Sequence, residues 1–314
     1  MKDYDNELSM LTRVAWMYYV QGMTHEEIAE KIHYSRSKVT RMLARAREQG
    51  IVEINVRGAY RSCIEVGDRL KEQTGLSEII VVPSGDDLEG SQRSVGRAAA
   101  DYINASLRDG EVLGLAWGIS FQKIIPYLKP HTGMNITTVQ LMGGVTTGDT
   151  VDPQRIVSTI TSRLGARGVL KSLPVVVDSG EIKAAMMRDR GVQEIMSGVK
   201  NCTKALFGVG TTTTDAALCL TGAVTEREMA EIRAAGAVGD VTGWYLDRNG
   251  KVLDIPLHER LMSPPPEMLR SIPVKIIETA GLRKADALTG AIRGGWVDVL
   301  IIDEELAAAL CERF

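Results

Sequence analysis

Residues 24–50 read THEEIAEKIHYSRSKVTRMLARAREQG, and their spacing decides the first part of the fold. Thr24 with Glu27 three positions later is a capping box, the signature of a helix start. Ile28, Ala29 and Ile32 give that short helix one apolar stripe. His33 and Tyr34 form a turn, Ser35 caps the next helix, and Gly50 ends it. In this last helix Val39, Met42, Leu43 and Ala46 fall on one side at helical spacing. Ser37, Thr40, Arg41, Ala44 and Arg45 fall on the other, flanked by Arg36 and Lys38.

Residues 35–47 carry five positive charges and no acid. A solvated helix would mix Glu with Lys for i,i+4 pairing. Residues 1–57 hold nine Lys and Arg against eight Asp and Glu, so the positive charge is gathered on one helix rather than spread. A short helix, a tight turn and a basic helix make a helix-turn-helix, whose last helix enters the major groove of duplex DNA. Candidate DNA-contacting residues are Thr24, Ser35, Arg36, Ser37, Lys38, Thr40, Arg41 and Arg45. Arg fits guanine O6/N7 or phosphate, while Ser and Thr serve either. Ahead of this pair, Leu8, Leu11, Ala15 and Tyr18 or Tyr19 recur at helical spacing, with Gly22 closing that helix. After it, IVEINV (51–56) alternates like a strand.

The chain has 314 residues, room for two domains. We place a DNA-binding domain at 1–57 and a larger domain at 58–314. The net charge of −3 excludes a polycation, so a DNA surface must be local. Four scattered cysteines without CxxC, and four histidines without a paired motif, suggest no disulfide framework and no metal site. The polar, acidic N-terminus MKDYDNELSM is not a secretory signal. No apolar stretch reaches 18 residues, so no membrane span is expected. A cytoplasmic protein without a cofactor is the expectation.

From Gly58 onward short β-branched runs alternate with helical patterns. SEIIVVP (77–83), EVLGLAW (111–117), ITTVQLM (136–142), LPVVVDS (173–179), KALFGVG (204–210), VKIIETA (274–280) and VDVLIID (297–303) read as strands. SQRSVGRAAADYINASL (91–107), RIVSTITSRL (155–164) and LRKADALTGAIRGG (282–295) read as helices. The fold class is therefore an N-terminal all-α helix-turn-helix domain followed by an α/β, Rossmann-like domain with a mostly parallel sheet.

Glycine turns follow several of these strands. In WGIS (117–120) Gly118 admits a ligand close to the backbone, and Ser120 either caps a helix or holds an anion. QLMGGVTTGD (140–149) places Gly143 and Gly144 after a strand. GVGTTTTD (208–215) is not a dinucleotide fingerprint, because Thr211 and Thr213 stand where further glycines would be. Asp240 lies in a glycine-rich turn before a strand, and Lys284 follows Gly281 at another strand-to-helix junction. The carboxyl edge of a parallel sheet is where open α/β folds bind ligands. Donors, hydroxyls, an acid and a lysine at that edge suit a small polyhydroxy anion, the acid for sugar hydroxyls and the N–H groups and lysine for phosphate.

The stretch YYVQGMTHEEIAEKIHYSRSKVTRMLARAREQGIVEI (18–54) resembles the head of the SorC family of sugar-responsive transcriptional regulators. The likeness continues through GLAWGIS, QLMGG, GVG, AGAVGD and the closing GGWVDVLIIDE, and covers essentially the whole chain. It implies an effector domain similar in fold to sugar-phosphate isomerases, used for binding rather than catalysis. Carried over by motif, Gly118, Ser120, Gly143, Gly144, Asp240 and Lys284 would line the effector pocket. Gln154 and Arg155 are further candidates, in a stretch where the family contacts its effector variably. One departure is Leu282, where family members commonly place a second glycine. The implied partners are double-stranded operator DNA, a sugar or sugar-phosphate effector, and a second copy of the chain in a dimer or tetramer. The alternative is a sugar-phosphate isomerase or deaminase with an appended DNA-binding domain. It would need a general base, for which Glu181, Glu278 and Asp303 are the candidates.

Overall fold

The structure is a computed structural model that describes residues 2–52, 58, 60–116, 118–144, 153–170 and 172–314. It divides into two compact units, Met1–Gly58 and Ala59–Phe314.

Among its described residues the first unit holds three helices, α1 (Lys2–Tyr19), α2 (His25–Ile32) and α3 (Arg36–Glu48). Thr24 closes the expected capping box with Glu27, and Ser35 caps α3 by accepting from the Lys38 amide. His33 makes the turn in the left-handed region at φ 56°, a conformation that a non-glycine residue adopts at a cost. Val14 and Met17 of α1 pack with Ile28 and Ala29 of α2 and with Val39 and Leu43 of α3. Leu11, Ala15 and Ala46 extend this core. Of the stripe expected on α1, Leu11 and Ala15 are buried as the spacing required. Leu8, Tyr18 and Tyr19 stay exposed, because the buried stripe runs through Val14 and Met17, between the two helices that α1 must cover. The Tyr18 ring instead meets His25, 5.0 Å between centroids. The expected strand at 51–56 falls mostly on residues 53–57, outside the described residues.

Among the described residues the second unit begins with α4 (Arg61–Thr74) and holds ten short strands. These are β1 (Glu78–Val82), β2 (Val112–Leu115), β3 (Thr137–Gln140), β4 (Arg167–Val169) and β5 (Lys204–Phe207), then β6 (Val209–Gly210), β7 (Gly239–Val241), β8 (Trp244–Leu246), β9 (Val274–Thr279) and β10 (Val299–Asp303). Seven form one sheet in the order β1-β10-β9-β5-β2-β3-β4, every neighbouring pair parallel. β10 is buried along its whole length, which is why it reads as a continuous apolar run rather than an alternating one. Two further helices are α5 (Leu88–Ser106) after β1, whose first turn reaches the site, and α6 (Pro153–Leu164) before β4. From β2 the chain winds outward to β3 and β4; from β5 it winds the other way to β9 and β10. The winding reverses between β2 and β5, the place where such sheets open a crevice at their carboxyl ends.

Three local expectations change. LPVVVDS (173–179) is not a sheet strand. It is an extended strap held by isolated bridges, Gly144 to Pro174 and Val176 to Leu261, because Pro174 has no amide to donate to a ladder. KALFGVG splits at Gly208: Phe207 ends β5, and β6 joins β7 and β8 in a small antiparallel sheet. Asp240 is not in a turn but inside β7, opposite Gly210; the turn is Thr242-Gly243, both at positive φ, as a two-residue hairpin demands. No helix among the described residues is long and apolar enough to cross a membrane.

Candidate functional site

On α3 the structure buries Val39, Leu43 and Ala46 and exposes Arg36, Ser37, Thr40, Arg41 and Arg45. The basic face is thus turned to solvent, but its members are not equivalent. Arg45 pairs with Glu7 of α1. Arg36 lies 3.7 Å from Glu26, Lys38 sits 3.6 Å above the Tyr34 ring, and Ser37 shares a 3.1 Å hydrogen bond with Ser35. Thr40 donates to the Arg36 carbonyl or to His25 Nδ1, each at 3.1 Å. The Thr24 hydroxyl donates to Glu27 at 2.9 Å, so capping engages it. Arg41 has no such partner among the described residues and is the cation of this face most available to a duplex.

In the second unit a cavity of about 490 Å³ opens at the carboxyl edge of the sheet, at the β2–β5 reversal. Three strand exits contribute: Ala116, Gly118 and Ser120 after β2, Gly208 to Thr211 after β5, and Thr279 to Lys284 after β9. The loop before α5, Met142, the turn Asp215 to Leu218, Asp240 in β7, Thr242 and the end of β10 also contribute. Gly118, Ser120, Asp240 and Lys284 therefore lie together, as the sequence suggested.

Gly143, Gly144, Gln154 and Arg155 do not line this cavity. The Gly143 amide donates to the Met262 carbonyl at 3.0 Å, and a Cβ there would stand 2.1 Å from the Pro174 carbonyl oxygen. Gly144 bridges to the strap, its amide donating to Leu173 at 2.7 Å. Both glycines are engaged in close backbone packing. Gln154 accepts from Ser172 at 3.3 Å at the start of α6. Residues 145–152, which the two motifs also span, lie outside the described residues, as does Trp117.

A buried charge cluster lies behind the cavity wall. Ser120 donates to Glu278 at 2.6 Å, and Lys284 donates to the Val209 carbonyl at 2.7 Å. Burial pushes Glu278 up to about 7, against the Ser120 hydrogen bond and the Lys284 charge, which favour ionisation. Burial also pushes Asp240 up to about 6, against the Gly243 amide and Lys284. Lys284 is lowered by burial, with Asp240 and Glu278 opposing. At the mouth, Arg283 grips Asp215 with two bonds of 2.7 and 2.8 Å, holding that carboxyl down at about 2 together with Thr213. Asp303 accepts from the Gly281 amide at 2.9 Å and from Ser84 at 3.1 Å. Glu181 sits on an exposed turn of the helix Gly180–Met186, away from the cavity.

Sequence reasoning missed Asp86, Asp87, Asp215 and Arg283 as wall residues. A signal existed for the first two, since Gly85 follows β1 as the other glycine turns follow their strands. Asp215 and Arg283 meet across 68 positions, which no local pattern encodes.

A sugar-binding domain family matches residues 59–312, and the sigma-70 region 4 family matches residues 14–49. The deoxyribonucleoside regulator of Bacillus subtilis (strain 168) is 31% identical over 310 residues, 98% of this chain and 98% of the relative. The transcriptional regulator YjhU of Escherichia coli (strain K12) is 30% identical over 305 residues, 95% and 93% of the two chains. The full-length sorbitol operon regulator SorC from Klebsiella pneumoniae superposes with a TM-score of 0.75 at 26% identity, covering 96% of this chain and 98% of that one.

Proposed function

Since this chain belongs to the SorC family of sugar-binding transcriptional regulators, we propose that it is a DNA-binding regulator of a carbohydrate-utilisation operon, and that a carbohydrate in the second unit's cavity sets its operator affinity. The observation that carries this reading is the presence in one chain of a solvent-facing basic helix in a helix-turn-helix and a cavity at the reversal point of a parallel sheet. Candidate DNA contacts are Ser35, Arg36, Ser37, Lys38, Thr40 and Arg41, with Arg45 and Thr24 supporting the helices that present them. Candidate effector contacts are Gly118, Ser120, Asp240 and Lys284. The protein acts in the cytoplasm as a dimer or tetramer, because two-fold operators are met by two-fold proteins. An effector that binds two conformations unequally supplies about 1–3 kcal/mol of coupling, enough to change operator affinity roughly 5–150-fold.

A second reading, an isomerase or deaminase, is favoured by Glu278, whose carboxyl titrates near neutrality beside the cavity. Ser120 and Thr279 line the cavity while Glu278 does not, so the base is screened from a bound sugar. We therefore propose binding without turnover. The test is fluorescence anisotropy with promoter fragments and random duplex, with and without a panel of sugars and sugar phosphates, assayed in parallel for product. Preference for a promoter fragment that changes with one carbohydrate supports the reading; no preference in any condition sinks it. Turnover of a phosphosugar would establish the second reading instead.

A further inference from the structure

His25 opens α2, and its ring ties the three helices of the first unit together at one flank of the basic face. Nδ1 lies 3.1 Å from the Thr40 hydroxyl of α3, and the Tyr18 ring of α1 packs on the imidazole. Nε2 has no partner among the described residues and is not a buried atom, so it is open to solvent.

Where that nitrogen points on a duplex follows from α3. Opposite the buried Val39, Leu43 and Ala46 stand Ser37, Arg41 and Ala44. Thr40 and Arg36 stand to one side, toward α2, where Thr40 meets His25 and Arg36 meets Glu26. In a helix-turn-helix the second helix fills the major groove and the first crosses the backbone. The centre of the α3 face therefore meets base edges, and the α2 flank meets the phosphates that wall the groove.

What Nε2 offers follows from Thr40. That hydroxyl has one proton and two acceptors at 3.1 Å, His25 Nδ1 and the Arg36 carbonyl. With the proton given to Nδ1, the neutral ring carries its own on Nε2. In the charged ring Nδ1 donates to Thr40, Thr40 donates to Arg36, and Nε2 again carries a proton. Only a neutral ring protonated on Nδ1 turns a lone pair outward, and a phosphate disfavours that form. A phosphate also favours the charged ring over the neutral one. The ionisable groups about His25 are Tyr18 on α1, Glu26 and Glu27 on its own helix, and Arg36 on α3. Glu26 and Arg36 pair with each other at 3.7 Å, and Glu27 is held in the capping box by Thr24. A charged His25 thus finds no uncommitted carboxylate among these groups, and DNA supplies the anion.

We infer that His25 donates Nε2–H to a phosphate of the bound duplex, and that binding draws a proton from solvent onto the ring, so that DNA affinity falls as pH rises. This rests on the first unit being the DNA-binding one, as proposed above.

The full chain, without carbohydrate, is titrated by fluorescence anisotropy onto a labelled mixed-sequence duplex at pH 6 and pH 8 and constant ionic strength. A mixed sequence suffices, because a phosphate contact is indifferent to sequence. Imidazole is the side chain whose charge changes in this range. The parent should bind roughly three- to tenfold more tightly at pH 6 than at pH 8. His25→Gln keeps a neutral donor, so it should match the parent at pH 8 and lose most of the gain at pH 6. His25→Ala should be weaker at both values and lower the salt slope at pH 6 by about one unit. His33→Asn, at the other histidine of the unit, should keep the parent's profile. Circular dichroism of each variant at both pH values reads its folding, and a fold defect would weaken binding without erasing the difference between them. A parent that binds alike at pH 6 and pH 8, or a His25→Gln variant that keeps the parent's difference, overturns the inference and leaves the regulator reading standing. A parent that binds no duplex at either pH overturns both.

Discussion

The Ser120 hydroxyl donates a 2.6 Å hydrogen bond to Oε1 of Glu278, a carboxylate only 1% exposed near the end of β9. The bond favours the ionised carboxylate, yet burial prevails and Glu278 titrates at about 7 instead of 4.5. The folded protein therefore keeps a proton that the unfolded chain releases. Between pH 4.5 and 7 the unfolded state binds fewer protons at this site, so its contribution to stability falls as pH rises. Asp240, raised from 3.8 to about 6, acts in the same sense. His258 opposes them: burial lowers it from 6.5 to about 4, so its contribution rises with pH between those values. In Glu278→Gln the loss of stability between pH 5 and pH 8 should shrink by about 2 kcal/mol relative to the parent. Urea unfolding at the two pH values measures this, and equal losses in both proteins would contradict the assignment.

Ser120→Ala removes the donor that favours the charged form of Glu278. Its carboxyl should rise further, and the fall in stability should extend to higher pH. Promoter binding without effector should persist, while the response to a bound carbohydrate weakens because a cavity hydroxyl is lost. A full response with an unaltered pH profile would show that Ser120 serves neither role.

Arg41 and Arg45 occupy the same exposed face of α3 but differ in their partners. Arg45 pairs with Glu7, while Arg41 is unpaired among the described residues. Arg41→Ala should weaken promoter binding and, if the contact is to phosphate, lower the salt slope by about one unit. Arg45→Ala should cost less in DNA affinity, and at most about 1 kcal/mol of stability, because half-exposed ion pairs contribute little. Anisotropy titrations at several salt concentrations separate the two. A larger loss for Arg45→Ala than for Arg41→Ala would reverse the ranking.

Thr24→Ala tests whether Thr24 caps α2 or touches DNA. Its hydroxyl accepts from the Glu27 amide at 3.3 Å and donates to Oε2 of Glu27. Loss of this cap should cost about 1 kcal/mol of stability. DNA affinity at low temperature, where the unit stays folded, should change little. A large affinity loss without destabilisation would restore Thr24 as a contact.

The helix-turn-helix was legible because its signals are local. A capping box, a caps-and-stripe pattern and a one-sided basic face all lie within 27 residues. The parallel sheet was legible for a similar reason, since buried strands such as β9 and β10 read as unbroken apolar runs. What escaped depends on distant contacts. The strap at 173–179 has strand composition, but its neighbours are Gly144 and Leu261, not a sheet edge. Gly143 and Gly144 resemble a ligand loop in sequence, and only the approach of Pro174 shows their packing role. The engaged state of Arg283 and Lys284 required β6, β7 and β9 and the Asp215 turn to be brought together. A sequence motif can report that a lysine is present, not that carboxylates already share its charge.

Two cavity glycines differ in what a methyl group would meet. A Cβ on Gly210 would stand 1.8 Å from Oδ1 of Asp240, on the opposite strand of the small sheet. Asp240 would have to leave its place, giving up the Gly243 amide and its position beside Lys284. On Gly118, extended at φ −173°, the nearest atom is Ser120 Oγ at 3.7 Å, an ordinary contact. Gly210→Ala should therefore destabilise the protein by about 1–3 kcal/mol, as overpacking does, and abolish the carbohydrate response. Gly118→Ala should keep the parent's thermal stability but lose carbohydrate affinity, since its methyl group points at space the ligand uses. Thermal denaturation paired with calorimetric titration reads both effects. If Gly118→Ala binds the carbohydrate as the parent does, no ligand atom approaches the backbone at the exit of β2, and the site must be centred nearer Asp240 and the α5 loop.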